Sequence, residues 1–230
     1  VAEARVVRAW LHMTAALTWQ RPPLVDHCLT DEDPTNVESQ KFLLDWCINE
    51  CALALPNLRE RSSKLDKDAT TYVTKGFAQF VAGKSAVFAN EMDVARKYLG
   101  DLIASGKYEL VPGDRWWENF HTPGDGNEEK IFEPNWVYDS NNSSSDNQSR
   151  AKWNQNNTLN WRGKNMNSWP VCQATTGWNG GAINGYFAEK FLEHDGNGPR
   201  RMGTFFTADE WLYGIDSDGN EIFDKFPWMR

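Results

Sequence analysis

The chain is predicted to be mainly helical, with helix pairs through its first half and a long loop-rich region in its second. Three observations predict this. Apolar residues recur at helical spacing in four successive segments up to Gly106. From about Pro112 to Gly185 that spacing stops, and tryptophan and asparagine take over. Over 230 residues the hydrophobic fraction is 40%, enough for one large domain or two small ones and too much for a disordered chain.

The first helix is expected over residues 2–19, where Val6, Val7, Trp10, Leu11, Thr14 and Leu17 share a stripe and Pro22-Pro23 closes it. A second stripe joins Val37, Leu44, Cys47, Ile48, Cys51 and Leu55 before Pro56. A third helix is predicted from Ala69 to Asn90 through Val73, Phe77, Phe80, Val81, Val87 and Phe88. After a break at Asn90 a fourth carries Val94, Ala95, Tyr98, Leu102 and Ile103, and Gly106 stops it. The last two lie in TKGFAQFVAGKSAVFANEMDVARKYLGDLIASGKYEL, which has the spacing of a tetratricopeptide unit. Small residues fall where two antiparallel helices would touch, and an aromatic follows on the second helix. Residues 1–111 therefore read as a helical, tetratricopeptide-like scaffold, and 112–230 as a loop-rich region packed on it.

In that second region KIFEPNWVY reads as a short strand. Helix signals return at about Ala182–Glu193 and Thr207–Leu212, and IDSDGNEIF holds an Asp-Gly pair suited to a tight hairpin. A loop of this length inside a compact domain is either a misassigned element or a functional segment, and its composition favours the second.

Charge narrows the partners. The net charge of -8 and pI near 5.1, with no block of Lys or Arg, argue against a nucleic-acid backbone. No run reaches the ~18 apolar residues of a membrane span. The chain starts at Val1 inside a helical pattern, without an initiator Met or a signal peptide, and so reads as a processed product or a piece of something longer.

The tryptophans carry the functional expectation. Trp136, Tyr138, Trp153, Trp161, Trp169 and Trp178 alternate with Asn135, Asn154, Asn157, Asn165 and Asn179. A sugar ring has a weakly polar C–H face and a rim of hydroxyls. An indole covers the face by dispersion and through its negative ring surface, while an amide serves the rim as donor and acceptor together. Arg150, Lys152, Arg162 and Lys164 add charge-assisted hydrogen bonds. Neutral glycan is the ligand this chemistry suits, although tryptophans in long loops also serve as anchors that pin irregular backbone to a scaffold. The candidate ligand-binding set is Trp136, Tyr138, Trp153, Asn154, Asn157, Trp161, Arg162, Lys164, Asn165, Trp169 and Trp178. Residues 140–149, SNNSSSDNQS, read as a solvated loop, and GWNGG from Trp178 to Gly181 reads equally as a tight backbone crossing.

Catalysis is not expected. Glycoside hydrolysis needs two opposed carboxyl groups, and Asp114, Glu118, Asp125, Glu128 and Glu129 sit in a charged stretch before the Trp-rich part. No GxSxG elbow, HExxH helix or Gly-rich phosphate loop occurs, and His12, His27, His121 and His194 are scattered singly. Cys47 and Cys51 are four apart but lack a second ligand pair, so they read as buried apolar residues rather than zinc ligands; Cys28 and Cys172 add no pattern. DSDGNEIFD, from Asp216 to Asp224, alternates oxygens as calcium loops do, but it lacks the twelve-residue spacing and the final Glu. No cofactor is expected, and calcium is the one ion this stretch leaves open.

Several segments also resemble one family in its order. AEARVVRAWLHMTAALTWQRPPLV is similar to an early helix and the proline segment after it. TYVTKGFAQFVAGKSAVFANEMDVARKYLGDLIASGKYELVPG resembles a central helix pair with the SGKYELV that follows. NEEKIFEPNW is similar to a NEEIIFEI strand. GWNGGAINGYFAEKFLEHDGNGPRRMGTF resembles a glycine-rich loop, helix and Asp-Pro-Arg turn, with Gly198 standing where Asp is usual. The family is that of the SusD/RagB outer-membrane lipoproteins of Bacteroidetes. The resemblance implies a SusD-like α/α superhelix whose loop-rich face binds glycan at the cell surface, above a SusC-like TonB-dependent transporter that receives the oligosaccharide. It implies membrane attachment only through a lipid anchor outside this chain. The lipidated Cys near the amino end and the carboxy-terminal stretch have no counterpart here, so the chain is expected to be an internal portion. The RagB branch implies a peptide ligand as the alternative. From the helices alone, a protein-interaction adaptor is a further reading.

Overall fold

The structure is a computed structural model that describes residues 1–29, 34–120, 122–134, 184–202, 204, 205, 207, 210, 213–215 and 217–221. It is mainly helical; among the described residues the only β pairing is two isolated antiparallel bridges, Pro23 with Asn36 and Ile215 with Glu221. Two compact units divide the chain: Val1–Val111 with Gly124–Pro134, and Pro112–Pro123 with Asn135–Arg230.

The first unit stacks α1 (Ala2–Trp19), α2 (Gln40–Ala54), α3 (Lys75–Phe88) and α4 (Met92–Ala104), each packed on the next. In α1 the deepest line is Val6, Ala9, Met13 and Ala16, which shares only Val6 with the expected stripe. Val7, Trp10 and Leu17 flank it half-buried, and Leu11 is exposed. Small alanines on the centre line let the backbones of neighbouring helices approach, which puts bulky neighbours on the shoulders. Trp10 still reaches the core, meeting Phe77 and Phe132 edge-on at 5.8 and 5.9 Å.

Capping sets the helix starts. The Ser39 hydroxyl accepts from the Phe42 amide at 3.1 Å, and the Thr74 hydroxyl accepts from that of Phe77 at 3.3 Å. The Thr74 cap is why α3 begins at Lys75 instead of Ala69. The preceding residues form a separate 3-10 turn, Asp68–Thr71, whose Ala69 amide donates to the Asp66 carboxylate. Asn90, with φ 62, turns the chain into α4, and Gly106, with φ 64, follows its end. Where α3 meets α4, a Cβ added to Gly83 would lie 2.5 Å from the Leu99 side chain, so a small residue does stand at the helix contact.

Polar ties complete the unit. Glu50, buried on α2, receives Arg5 and Arg8 from α1 at 2.7 and 2.6 Å. His12 contacts the Arg8 carbonyl through Nδ1 and accepts the Val25 amide at Nε2, which pins the segment after α1. Arg61 is fully buried and donates to the carbonyls of Ser63, Lys64, Asn127 and Lys130 at 2.7–3.1 Å, drawing Gly124–Pro134 onto the helices. The described part of the expected strand, Lys130–Pro134, is irregular. Its Phe132 stacks on Phe77 at 4.3 Å and serves the core, while the Glu133 amide donates to the Thr70 carbonyl.

The second unit holds a 3-10 turn at Gly113–Phe120, α5 (Gly185–Asp195) and α6 (Pro199–Met202), and a further 3-10 turn, Thr122–Gly124, runs across the boundary between the units. The stretch after Pro112 thus contains short tight turns, whose period of three leaves no α-helical stripe to read.

Candidate functional site

All eleven candidate binding residues, Trp136, Tyr138, Trp153, Asn154, Asn157, Trp161, Arg162, Lys164, Asn165, Trp169 and Trp178, lie outside the described residues, as do His121, Asp216 and Asp224. The described surface of the second unit carries another aromatic group, on α5 and just beyond.

Asn184 creates it. Its side-chain oxygen accepts from the amides of Tyr186 and Phe187 at 3.0 and 3.3 Å, fixing the first turn of α5 and the two aromatics in that turn. Neither is covered: Tyr186 is 70% and Phe187 58% exposed. Phe187 leans on Phe191 at 5.7 Å, and Phe191 on Phe205 at 5.8 Å, a run of three rings from an open end to a half-buried one. Lys190 sits 5.8 Å from the Tyr186 ring and Arg200 5.2 Å from that of Phe191.

The turn into α6 is held by buried chemistry. Arg201 donates to the Gly196 carbonyl at 2.8 Å and to Asn197 Oδ1 at 3.0 Å, and binds both carboxyl oxygens of Glu210. Glu210 also exchanges capping bonds with Thr207: its carboxylate accepts the Thr207 amide at 2.8 Å, and its own amide donates to the Thr207 hydroxyl at 3.3 Å. Burial pushes the Glu210 carboxyl up, but Arg201 and the Thr207 amide outweigh it and hold it below the ordinary range. Hydrogen bonding from His194, then from Arg200, holds Asp195 low as well.

Several other polar groups have structural partners. Glu118 receives Arg115 at 2.8 Å, Glu129 accepts the Val111 amide at 3.1 Å, and Asn197 donates to Ser217 and Asp218, both at 2.9 Å, within the turn closed by Ile215 and Glu221. Cys47 and Cys51 are core residues. Among the described residues no three His, Cys, Asp or Glu side chains are placed to hold a metal ion, and no helix is long and apolar enough to cross a membrane.

Tyr186 and Phe187 were not among the sequence candidates. The helix signal there was legible, but aromatic residues on a predicted helix read as core, and only the absence of any buried residue on α5 shows otherwise.

Four successively packed helices, followed by 3-10 turns and two further helices, make the described part of the chain a mainly helical protein. No family model and no curated protein matches the chain. Among solved structures it is similar to a SusD-like carbohydrate binding protein from Bacteroides fragilis, at 26% identity and a TM-score of 0.53, over 60% of this chain and 27% of that one. It is also similar to a SusD-like protein from the same organism, at 22% identity and a TM-score of 0.51 over the same shares; that likeness shows the fold alone. The chain thus spans 27% of the length of each. The first of these likenesses supports the SusD-like family for this chain, at moderate structural similarity.

Proposed function

We propose that the protein is a cell-surface glycan-binding protein. It captures oligo- or polysaccharide without transforming it and delivers it to a SusC-like TonB-dependent transporter in the outer membrane, to which a lipid anchor holds it. The observation that carries this reading is the 26%-identical likeness to a protein described as carbohydrate binding. The interleaved tryptophan and asparagine of residues 151–187 support it, because they match the two faces of a sugar. In this reading residues 1–111 are the scaffold, 112–230 the ligand-binding region, and the eleven candidates are stacking platforms and hydroxyl partners.

Open aromatic shelves leave much of a ligand wet, so affinities on the order of micromolar to millimolar are expected. Isothermal titration against a panel of polysaccharides and peptides tests the proposal. Heat with a polysaccharide, reduced in Trp161→Ala and Trp178→Ala, supports it; heat with peptides and none with any glycan replaces it with a peptide-uptake role.

A further inference from the structure

We propose that Tyr186 and Phe187, neither of them among the eleven candidates named above, form a stacking platform for an uncharged sugar ring. This rests on the glycan reading above and gives it a place on α5.

The rings are held in position. Both belong to a turn fixed by the Asn184 cap, and Phe187 is backed by Phe191 and, behind it, Phe205. A backed ring loses little side-chain freedom when a ligand lands on it, so more of the stacking energy remains as affinity.

Charge selects the ligand class. Among the described residues, the cations beside the rings have carboxylate partners: Lys190 has Glu193, Arg200 has Asp195 and Arg201 has Glu210. Exposed Glu189 on the same helix adds negative charge. An anionic polymer finds no unpaired cation among these three, while a neutral ring with C–H groups on one face finds two open aromatic surfaces.

Size decides against a protein partner. Two aromatic side chains offer about 150–250 Å² each, far below the roughly 800 Å² per partner of a stable protein interface. They match the footprint of one or two sugar rings.

The test uses the full chain in affinity electrophoresis and titration calorimetry. The neutral polymers are soluble starch, galactomannan and arabinoxylan, and the anionic ones polygalacturonate and chondroitin sulfate. The wild type is expected to bind a neutral polymer and to prefer it. Tyr186→Ala with Phe187→Ala should weaken that binding about tenfold or more, the loss expected for removing stacked rings, with an unchanged melting temperature. If the double variant melts early, Tyr186→Leu decides, because it keeps bulk and helix propensity and removes only the flat face. Binding retained within twofold in the variants overturns the platform and leaves the glycan reading standing. No binding to any polymer removes both, and tighter binding of the anionic pair overturns the charge selection.

Discussion

Arg201 and Glu210 form a bidentate ion pair inside the second unit, with side chains only 0% and 5% exposed. Removing one partner leaves the other charged and dry, at a cost of about 3–5 kcal/mol. Arg201→Ala is therefore expected to open the α5–α6 turn, seen as faster amide hydrogen exchange over residues 185–202 and an earlier melt. Replacing both partners, Arg201→Met with Glu210→Leu, should recover much of the loss, because no uncompensated charge remains. A double variant as unstable as the single one would show that the carbonyl bonds of Arg201, not the ion pair, hold the turn.

Glu60 gives the first unit an acid-sensitive tie. Lys107 and Lys75 both bond its carboxylate, Lys107 the more strongly, and bring its pKa down to about 2 from 4.5. A carboxyl with a depressed folded-state pKa stabilises fully above its unfolded value and loses that contribution as pH falls through the folded one. The window here runs from about 4.5 down to about 2. Glu60→Gln should be less stable than wild type at neutral pH and converge with it toward pH 2 in paired melting curves. Because the group is exposed, added salt should shrink the difference.

Helix stops were readable because they are local: Pro22-Pro23 after α1, Asn90 between α3 and α4, and Gly106 after α4 act through their own backbone preferences. The buried charges were not. Glu50 lies on α2 where a solvated acid would be expected, and its partners Arg5 and Arg8 are 45 and 42 residues away. Arg61 reaches carbonyls 66 and 69 residues on, and no periodicity encodes such a pairing. For the proposed glycan site, composition pointed to sugar chemistry but not to the exposed ring pair on α5, since exposure depends on what the fold leaves uncovered. The start of α3 was misplaced because apolar Val73 belongs to the core although it precedes the cap.

Thiol reactivity separates the cysteines. Burial pushes the Cys47 thiol up to about 12 and Cys51 higher still, while Cys28 is exposed. The thiolate is the nucleophile, so at pH 8 Cys47 presents about one reactive form in ten thousand molecules, and that form is sterically shielded as well. Iodoacetamide followed by peptide mass mapping should label Cys28 in the native protein, and Cys47 and Cys51 only in denaturant. Native labelling of Cys47 would mean that α1 and α2 separate readily.

Gly76 should be the least replaceable small residue of α3. A Cβ there would fall 2.1 Å from the Tyr108 hydroxyl oxygen and within 3 Å of two ring carbons, so the whole ring would have to move. Tyr108 in turn packs 5.1 Å from the Arg61 guanidinium, so displacing it disturbs the residue that fastens Gly124–Pro134. Alanine improves intrinsic helix propensity by about 1 kcal/mol, whereas overpacking costs about 1–3 kcal/mol; loss of the Arg61 contact adds to the second term. Gly76→Ala is expected to be net destabilising by about 1–2 kcal/mol in urea titration. Tyr108→Ala in the same chain supplies the check: with the ring gone the alanine has room, so the Gly76→Ala penalty should vanish or change sign. Equal penalties with and without Tyr108 would mean that the glycine is required for the backbone of α3 and not for the ring lying on it.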